Sequence, residues 1–281
     1  MLITMGEMLK VARKEHYGIA APNIREENTL RACISVAEEL NSPIVLDVGY
    51  SVNPDIIYFG RMCEDLAKAA KVPVCINQDH GATFESAVMC IRAGFTSVMA
   101  DRSSLPFDEN VRQVAEIVRI AHAAGVSAEA ELGHVGTQVL SSSDEAMGKH
   151  DESVLTDPQE AKKYVELTGV DCLAISIGTA HGDYKGTPHI DFDLLKKIYN
   201  TIDIPLVLHG GSGTGDENLA RACREGITKV NLSTDLFKAA AKAWEDAPNK
   251  TRFDFNIPME GYKDKLRHYM NVFGSVNKAW K

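Results

Sequence analysis

The sequence predicts an α/β fold in which eight strand–helix units close into a barrel, with a C-terminal helical extension. Three observations carry this. Eight short apolar runs recur along the 281 residues. Each precedes a longer stretch with the 3.6-residue periodicity of a helix. Acids, histidines and glycines fall at the ends of the runs, where barrels of this kind keep their active sites. That is the arithmetic of a (β/α)8, or TIM, barrel. A doubly wound sheet could use the same elements, but the first strand-to-helix turn lacks a G-x-G-x-x-G fingerprint.

In chain order, MLITMGEMLKVARKEHYG reads as a short lead and an amphipathic helix, neither a signal peptide nor a membrane span. The strand runs are YGIAAP (17–22), PIVLDV (43–48), VPVCIN (72–77), TSVMAD (96–101), VSAEAEL (126–132), VDCLAIS (170–176), IPLVLHG (204–210) and ITKVNLS (227–233). Helices are expected over 26–41, 53–70, 83–93, 108–124, 158–168, 191–201 and 215–225, and the next begins near Asp235. Asp157-Pro158 and Asp216-Glu217 supply a cap or an acidic first turn. The segment 136–156, polar and serine-rich, breaks the rhythm after the fifth strand. Loops of that length in a compact barrel are usually functional, so it is read as a long active-site loop. No domain boundary interrupts 1–281. Residues 247–281 read as an irregular excursion before a closing helix at 262–272.

Composition narrows the function. Hydrophobic residues make up 44% and charged residues 25%, which suits a soluble globular chain. The net charge is −9 and no basic tract occurs, which disfavours nucleic acid as a partner. An acidic protein can still bind an anion locally through backbone amides. No run approaches the roughly 18 apolar residues of a spanning helix, so no membrane partner is expected. The six cysteines are scattered without a C-x-x-C and read as reduced core residues of a cytoplasmic protein.

The chemistry lies at the strand ends. Strand three finishes in Asp79 and His80, and strand four in Asp101. Strand five carries Glu129 and Glu131. Strand six runs into His181-Gly182, strand seven into His209-Gly210-Gly211-Ser212, and strand eight into Asn231-Leu232-Ser233-Thr234. Three imidazoles converging on one barrel mouth match a zinc site with an open position, and also suit other borderline divalent metals. His16, His122, His134, His150, His189 and His268 are read as surface or capping residues. Glycines beside the histidines let backbone approach a ligand, and loops after strands seven and eight are the usual phosphate cradle. Lys185 could add a cation there.

With DHG, HGxYK, HGGSG and KVNLSTD in place, the chain resembles the class II, metal-dependent ketose-bisphosphate aldolases, nearest to the tagatose- and fructose-bisphosphate enzymes. The ordered set, with 28 positions from His181 to His209 and 22 from His209 to Asn231, covers nearly the whole chain. The resemblance implies one catalytic zinc per chain on His80, His181 and His209, with Asp101 and Glu131 at an alternative metal site. It implies that Asp79 transfers the proton at the aldehyde-derived oxygen. Gly182, Gly210, Gly211, Ser212, Asn231, Leu232, Ser233 and Thr234 would receive the dihydroxyacetone phosphate half. Arg267 would grip a far phosphate, in its own or a neighbouring subunit. A homodimer or homotetramer is implied, and dependence on a monovalent cation is left open. The chemistry is coherent: a cation stabilises the enediolate left by carbon–carbon cleavage, so no lysine Schiff base is needed.

The chain departs from the family pattern near the substrate. Asn77 replaces a histidine, Asp47 and Tyr50 stand where glutamine and serine are common, and Arg102 stands where a small residue is usual. The loop after strand five lacks the usual glutamate in register, leaving Asp144 or Glu145 as its candidate replacements. Two alternatives to aldol cleavage follow: a metal-dependent isomerase or epimerase working through the same enediolate, or a non-catalytic phosphosugar-binding subunit.

Overall fold

The alternation of apolar and amphipathic segments folds as expected. The structure, a computed structural model, describes residues 1–137, 153–184, 186–249 and 252–280. Its strands are β1 (Ile19–Pro22), β2 (Ile44–Gly49), β3 (Val74–Gly81), β4 (Ser97–Ala100), β5 (Ser127–Leu132), β6 (Cys172–Ile175), β7 (Leu206–Leu208) and β8 (Ile227–Leu232). All pair in parallel in the order β1-β8-β7-β6-β5-β4-β3-β2. A bridge from Asn23 to Asp47 brings the ends of the series together, with Ile24 N–H donating to Asp47 C=O at 2.9 Å.

Helix α1 (Met5–Glu15) precedes the barrel, and its start is set by a capping box in which Thr4 and Glu7 serve each other's backbone amides. Met5, Met8, Leu9 and Ala12 on its buried face join Ile19, Val45, Cys75, Met99, Cys172 and Val207 in one apolar cluster. In a strand alternate residues share a face, so these positions mark the barrel interior, and α1 closes its lower end. The opposite faces of the strands pack on the helical ring in a second, larger cluster.

That ring is α2 (Glu27–Glu39), α3 (Ile56–Ala69), α4 (Phe84–Arg92), α5 (Phe107–Ala123), α6 (Pro158–Thr168), α7 (Phe192–Thr201), α8 (Asp216–Glu225) and α9 (Thr234–Glu245). The final helix, α10 (Asn256–Phe273), packs chiefly against α9 and α2. It begins six residues before the expected 262. Pro258 falls in its first turn, where an amide hydrogen has no helical acceptor, so proline there does not break the helix. All six cysteines are buried and unpaired. Among the described residues, no helix is long and apolar enough to cross a membrane.

Candidate active site

Ordinary alternation would send Asp79 and His80 to opposite faces of β3. Asn77 faces inward, where its amide donates to Asp47 at 2.8 Å, while Gln78 faces outward and donates to Ser86 of α4 at 2.8 Å. Asp79 is therefore inward and His80 should be outward. Instead the pairing register between β3 and β4 shifts between Gln78 and Gly81, and His80 adopts φ +44°. The bulge and the left-handed residue turn the imidazole back over the barrel mouth. A non-glycine residue in that conformation is strained, and such strain concentrates at functional sites.

His80, His181 and His209 present nitrogens that all lie within 4.8 Å of one another. His80, Asp101 and Glu131 form a second group by the same measure. His80 Nδ1–H donates to Asp101 at 2.7 Å, which turns Nε2 toward His209 Nδ1, 2.9 Å away. His209 Nε2–H donates to Glu129 at 2.9 Å, and Lys229, wholly buried in the barrel, donates to the other Glu129 oxygen at 2.9 Å. The carboxylates thus select the tautomers that aim His80 Nε2 and His209 Nδ1 at each other, the arrangement seen around metal-bound imidazoles. The Glu131 Oε2 is buried without a hydrogen-bond partner. Nitrogen donors converging beside an orphaned carboxylate oxygen fit a divalent cation.

The electrostatics follow from burial and neighbours. Burial lowers His181 well below the usual imidazole range, and His80 and His209 lower it further. His209 is also lowered by burial, with Glu129 opposing. Both therefore stay neutral and able to ligate. Burial alone would raise Asp79, but His80, Lys229, His209 and the Asn23 amide outweigh it and hold the carboxyl low. Both Asp79 oxygens are engaged, one by Asn23 Nδ2 at 2.7 Å and the other by Asn231 Nδ2 at 3.0 Å. Glu131 is raised to about 8 by burial and then by Asp101. Lys229 serves two acids. It keeps Glu129 ionised against burial, whereas Asp47, farther away at 3.3 Å, is pushed up by burial.

Beside these groups lies a pocket lined by Asn23, Asp79, His80, His181, Gly182, Gly210, Gly211, Ser212 and Asn231 to Thr234. Gly210 has φ +67°, and a Cβ there would come within 2.3 Å of the Ala180 carbonyl oxygen. The turn after β7 therefore requires glycine. Tyr184 Oη accepts the Ala180 amide at 2.7 Å and lies 2.9 Å from the Gly210 carbonyl, tying the loops after β6 and β7 together. At the start of α9, Ser233 makes no side-chain cap, and its hydroxyl has no partner.

The comparisons with known proteins agree with this geometry. Residues 3–278 match the family model described as fructose-bisphosphate aldolase class-II. The chain belongs to the class II fructose-bisphosphate aldolase family. It is 32% identical to the YdjI aldolase of Escherichia coli K12, with all of both chains covered and a TM-score of 0.88. A Coccidioides immitis protein assigned as a fructose-1,6-bisphosphate aldolase is 25% identical over 97% of this chain and 96% of its own, TM-score 0.87. The Campylobacter jejuni fructose-bisphosphate aldolase, at 21% identity over 99% of this chain and 96% of its own, shares the fold with a TM-score of 0.79. This family member is an enzyme of the class II aldolase type, acting on a phosphorylated sugar with metal assistance.

Most of the residues singled out from the aldolase-like motifs come together at the mouth. Lys185, Asp144 and Glu145 lie outside the described residues. Arg267 is held by Glu39 at 2.9 Å and Asp264 at 2.7 Å and lines none of the pockets at the mouth. Arg102 fills a neighbouring loop, donating to the Gly81 carbonyl at 2.8 Å and to Gln113 at 2.7 Å. Four partners were missed: Asn23, Lys229, Tyr184 and, as a participant rather than a departure, Asp47. Lys229 carried a legible signal, being a lone cation inside an apolar strand run.

Proposed function

We propose that the enzyme reversibly cleaves a ketose phosphate to dihydroxyacetone phosphate and an aldehyde, with zinc held by His80, His181 and His209. The single observation that supports this most is the pairing of Asp79 with His80: a low-pKa carboxylate stands directly beside a nitrogen of the metal-binding group. Three imidazoles suit zinc, and Asp101 and Glu131 offer an alternative position for the ion. When bound, the cation supplies Lewis-acid stabilisation of negative charge on the ketone-derived half.

The residues of the chain do the rest. The glycines at 182, 210 and 211, with Ser212 and the 231–234 segment, receive the phosphate-bearing half through amides and hydroxyls. Phosphate held away from the breaking bond orients it. Asp79, ionised and fixed by Asn23 and Asn231, accepts the proton of the hydroxyl on the carbon that becomes the aldehyde. As the O–H electrons form the carbonyl, the adjacent carbon–carbon bond breaks and its pair passes to the ketone-derived half. That half takes a proton from solvent to complete dihydroxyacetone phosphate, and Asp79 gives its own proton back to solvent, so the cleavage is proton-neutral. In condensation, Asp79 returns its proton to the aldehyde oxygen. We further propose a cytoplasmic homodimer or homotetramer.

The test offers metal-replete protein a panel of ketose phosphates and follows dihydroxyacetone phosphate with a coupled assay. Release abolished by Asp79→Ala, with one zinc per chain, is expected. If exchange of the dihydroxyacetone phosphate carbon-bound proton occurs while no ketose phosphate is cleaved and no aldehyde is condensed, the cleavage reading is wrong.

A further inference from the structure

Two pockets meet at Asp79 and His80. The first, described above, is built for a phosphate. The second, a cavity of about 210 Å³, lies on the other side of the same pair and is lined by Tyr50, Ser51, Asp79, His80, Thr83 and Ser86 together with Gly49 and Ala82. If Asp79 takes the proton at the carbon that becomes the aldehyde, the bond being broken sits at the boundary. The phosphate-bearing half then occupies the first pocket and the aldehyde-derived half the second.

The second pocket is poorly equipped for a second phosphate. Among the described residues that line it, none is a lysine or arginine. Two of the amides at the start of α4 are engaged by its capping box: Ser86 N–H donates to Thr83 Oγ1 at 3.0 Å, and Thr83 N–H to Ser86 Oγ at 3.4 Å. Glu85 places an acid in that first turn. Arg102, the nearest buried cation in sequence, donates to the Gly81 and Asp101 carbonyls and to Gln113, and opens on the adjacent groove. Arg267 is committed to Glu39 and Asp264. A dianion placed here would face Asp79 without a paired cation among the described residues, which is costly in a desolvated site. Hydroxyl groups on Tyr50, Ser51 and Thr83 instead suit a neutral, hydroxylated chain.

We infer that the substrate carries one phosphate, on the ketone-derived half, and that the released aldehyde is a neutral hydroxyaldehyde. The inference rests on the aldolase reading given above and deepens it.

Condensation tests it without knowledge of the configuration at the two carbons joined, because the enzyme sets those stereocentres, and both enantiomers of each aldehyde are supplied. The metal-replete full chain is given dihydroxyacetone phosphate with glyceraldehyde, erythrose, glyceraldehyde 3-phosphate or erythrose 4-phosphate. The expected result is kcat/KM at least tenfold higher for each neutral aldehyde than for its phosphate. Efficient use of the phosphates overturns this inference while leaving the aldolase reading intact. Proton exchange on dihydroxyacetone phosphate with no condensation overturns both. Ser51→Arg, an exposed substitution at the pocket rim, should shift the ratio toward the phosphorylated aldehydes by several-fold. An unchanged ratio would mean that the aldehyde-derived half does not lie in this pocket.

Discussion

The Lys229 ammonium lies 2.9 Å from Glu129 Oε2, and both side chains are wholly buried inside the barrel. The other Glu129 oxygen holds His209, so a cation on β8 fixes a metal-binding candidate just after β7 through an acid on β5. Removing one partner of a buried ion pair leaves an uncompensated charge. Lys229→Met is expected to destabilise the protein by about 3–5 kcal/mol, measured by denaturant unfolding of the metal-free chain.

The same relationship predicts a metal phenotype. Glu129→Gln keeps the shape but weakens the hold on the His209 tautomer. Metal affinity should fall about 10–100-fold, read by competition with a chromophoric chelator. An unchanged affinity would mean that His209 needs no such partner.

Asp79→Asn tests the proton-transfer role. The amide retains the size and can still meet Asn23 or Asn231, but it cannot accept the hydroxyl proton. A fall in kcat of about 10²–10⁴-fold is expected, with metal content unchanged. Loss of metal in parallel with activity would point to a structural effect instead.

Metal removal should abolish turnover and lower the midpoint of thermal unfolding, because an ion that binds only the folded state stabilises it by mass action. Zinc should restore both. His181→Ala is expected to abolish the zinc-induced shift while leaving the metal-free protein folded.

Glu131 gives the metal-free protein a pH signature. Its carboxyl is raised to about 8 in the fold from an ordinary 4.5. Between those values the folded chain holds a proton that the unfolded chain has lost. Its stabilising contribution is therefore present below about 4.5 and lost as pH rises through 8. Glu131→Gln should flatten that part of the stability–pH curve. A steeper curve would contradict the assignment.

The barrel and its mouth were legible because strand ends concentrate polarity. Asp79, His80, His181 and His209 interrupt or close apolar runs, and periodicity located the helices to within a few residues. What escaped depends on facing. Asn23 follows a proline and looks like a strand terminus, yet it reaches across to Asp79. Asp47 looked like a mere departure from the family pattern, since nothing in its own strand announces Lys229, some 180 residues away in sequence. The inward turn of His80 depends on a bulge between β3 and β4 that no single-strand pattern encodes. The final helix was expected from 262, whereas it starts at Asn256, because its first turn carries Pro258 and no clear apolar periodicity.

Asn23 has a double placement. Its backbone forms the bridge to Asp47 where the two ends of the strand series meet, and its side chain grips Asp79. The clasp of the ring and the grip on the acid are one residue. A chain whose sheet had assembled but not yet joined end to end would contain every strand and still hold its acid loosely. Turnover is thus coupled to the closure of the ring through this one residue.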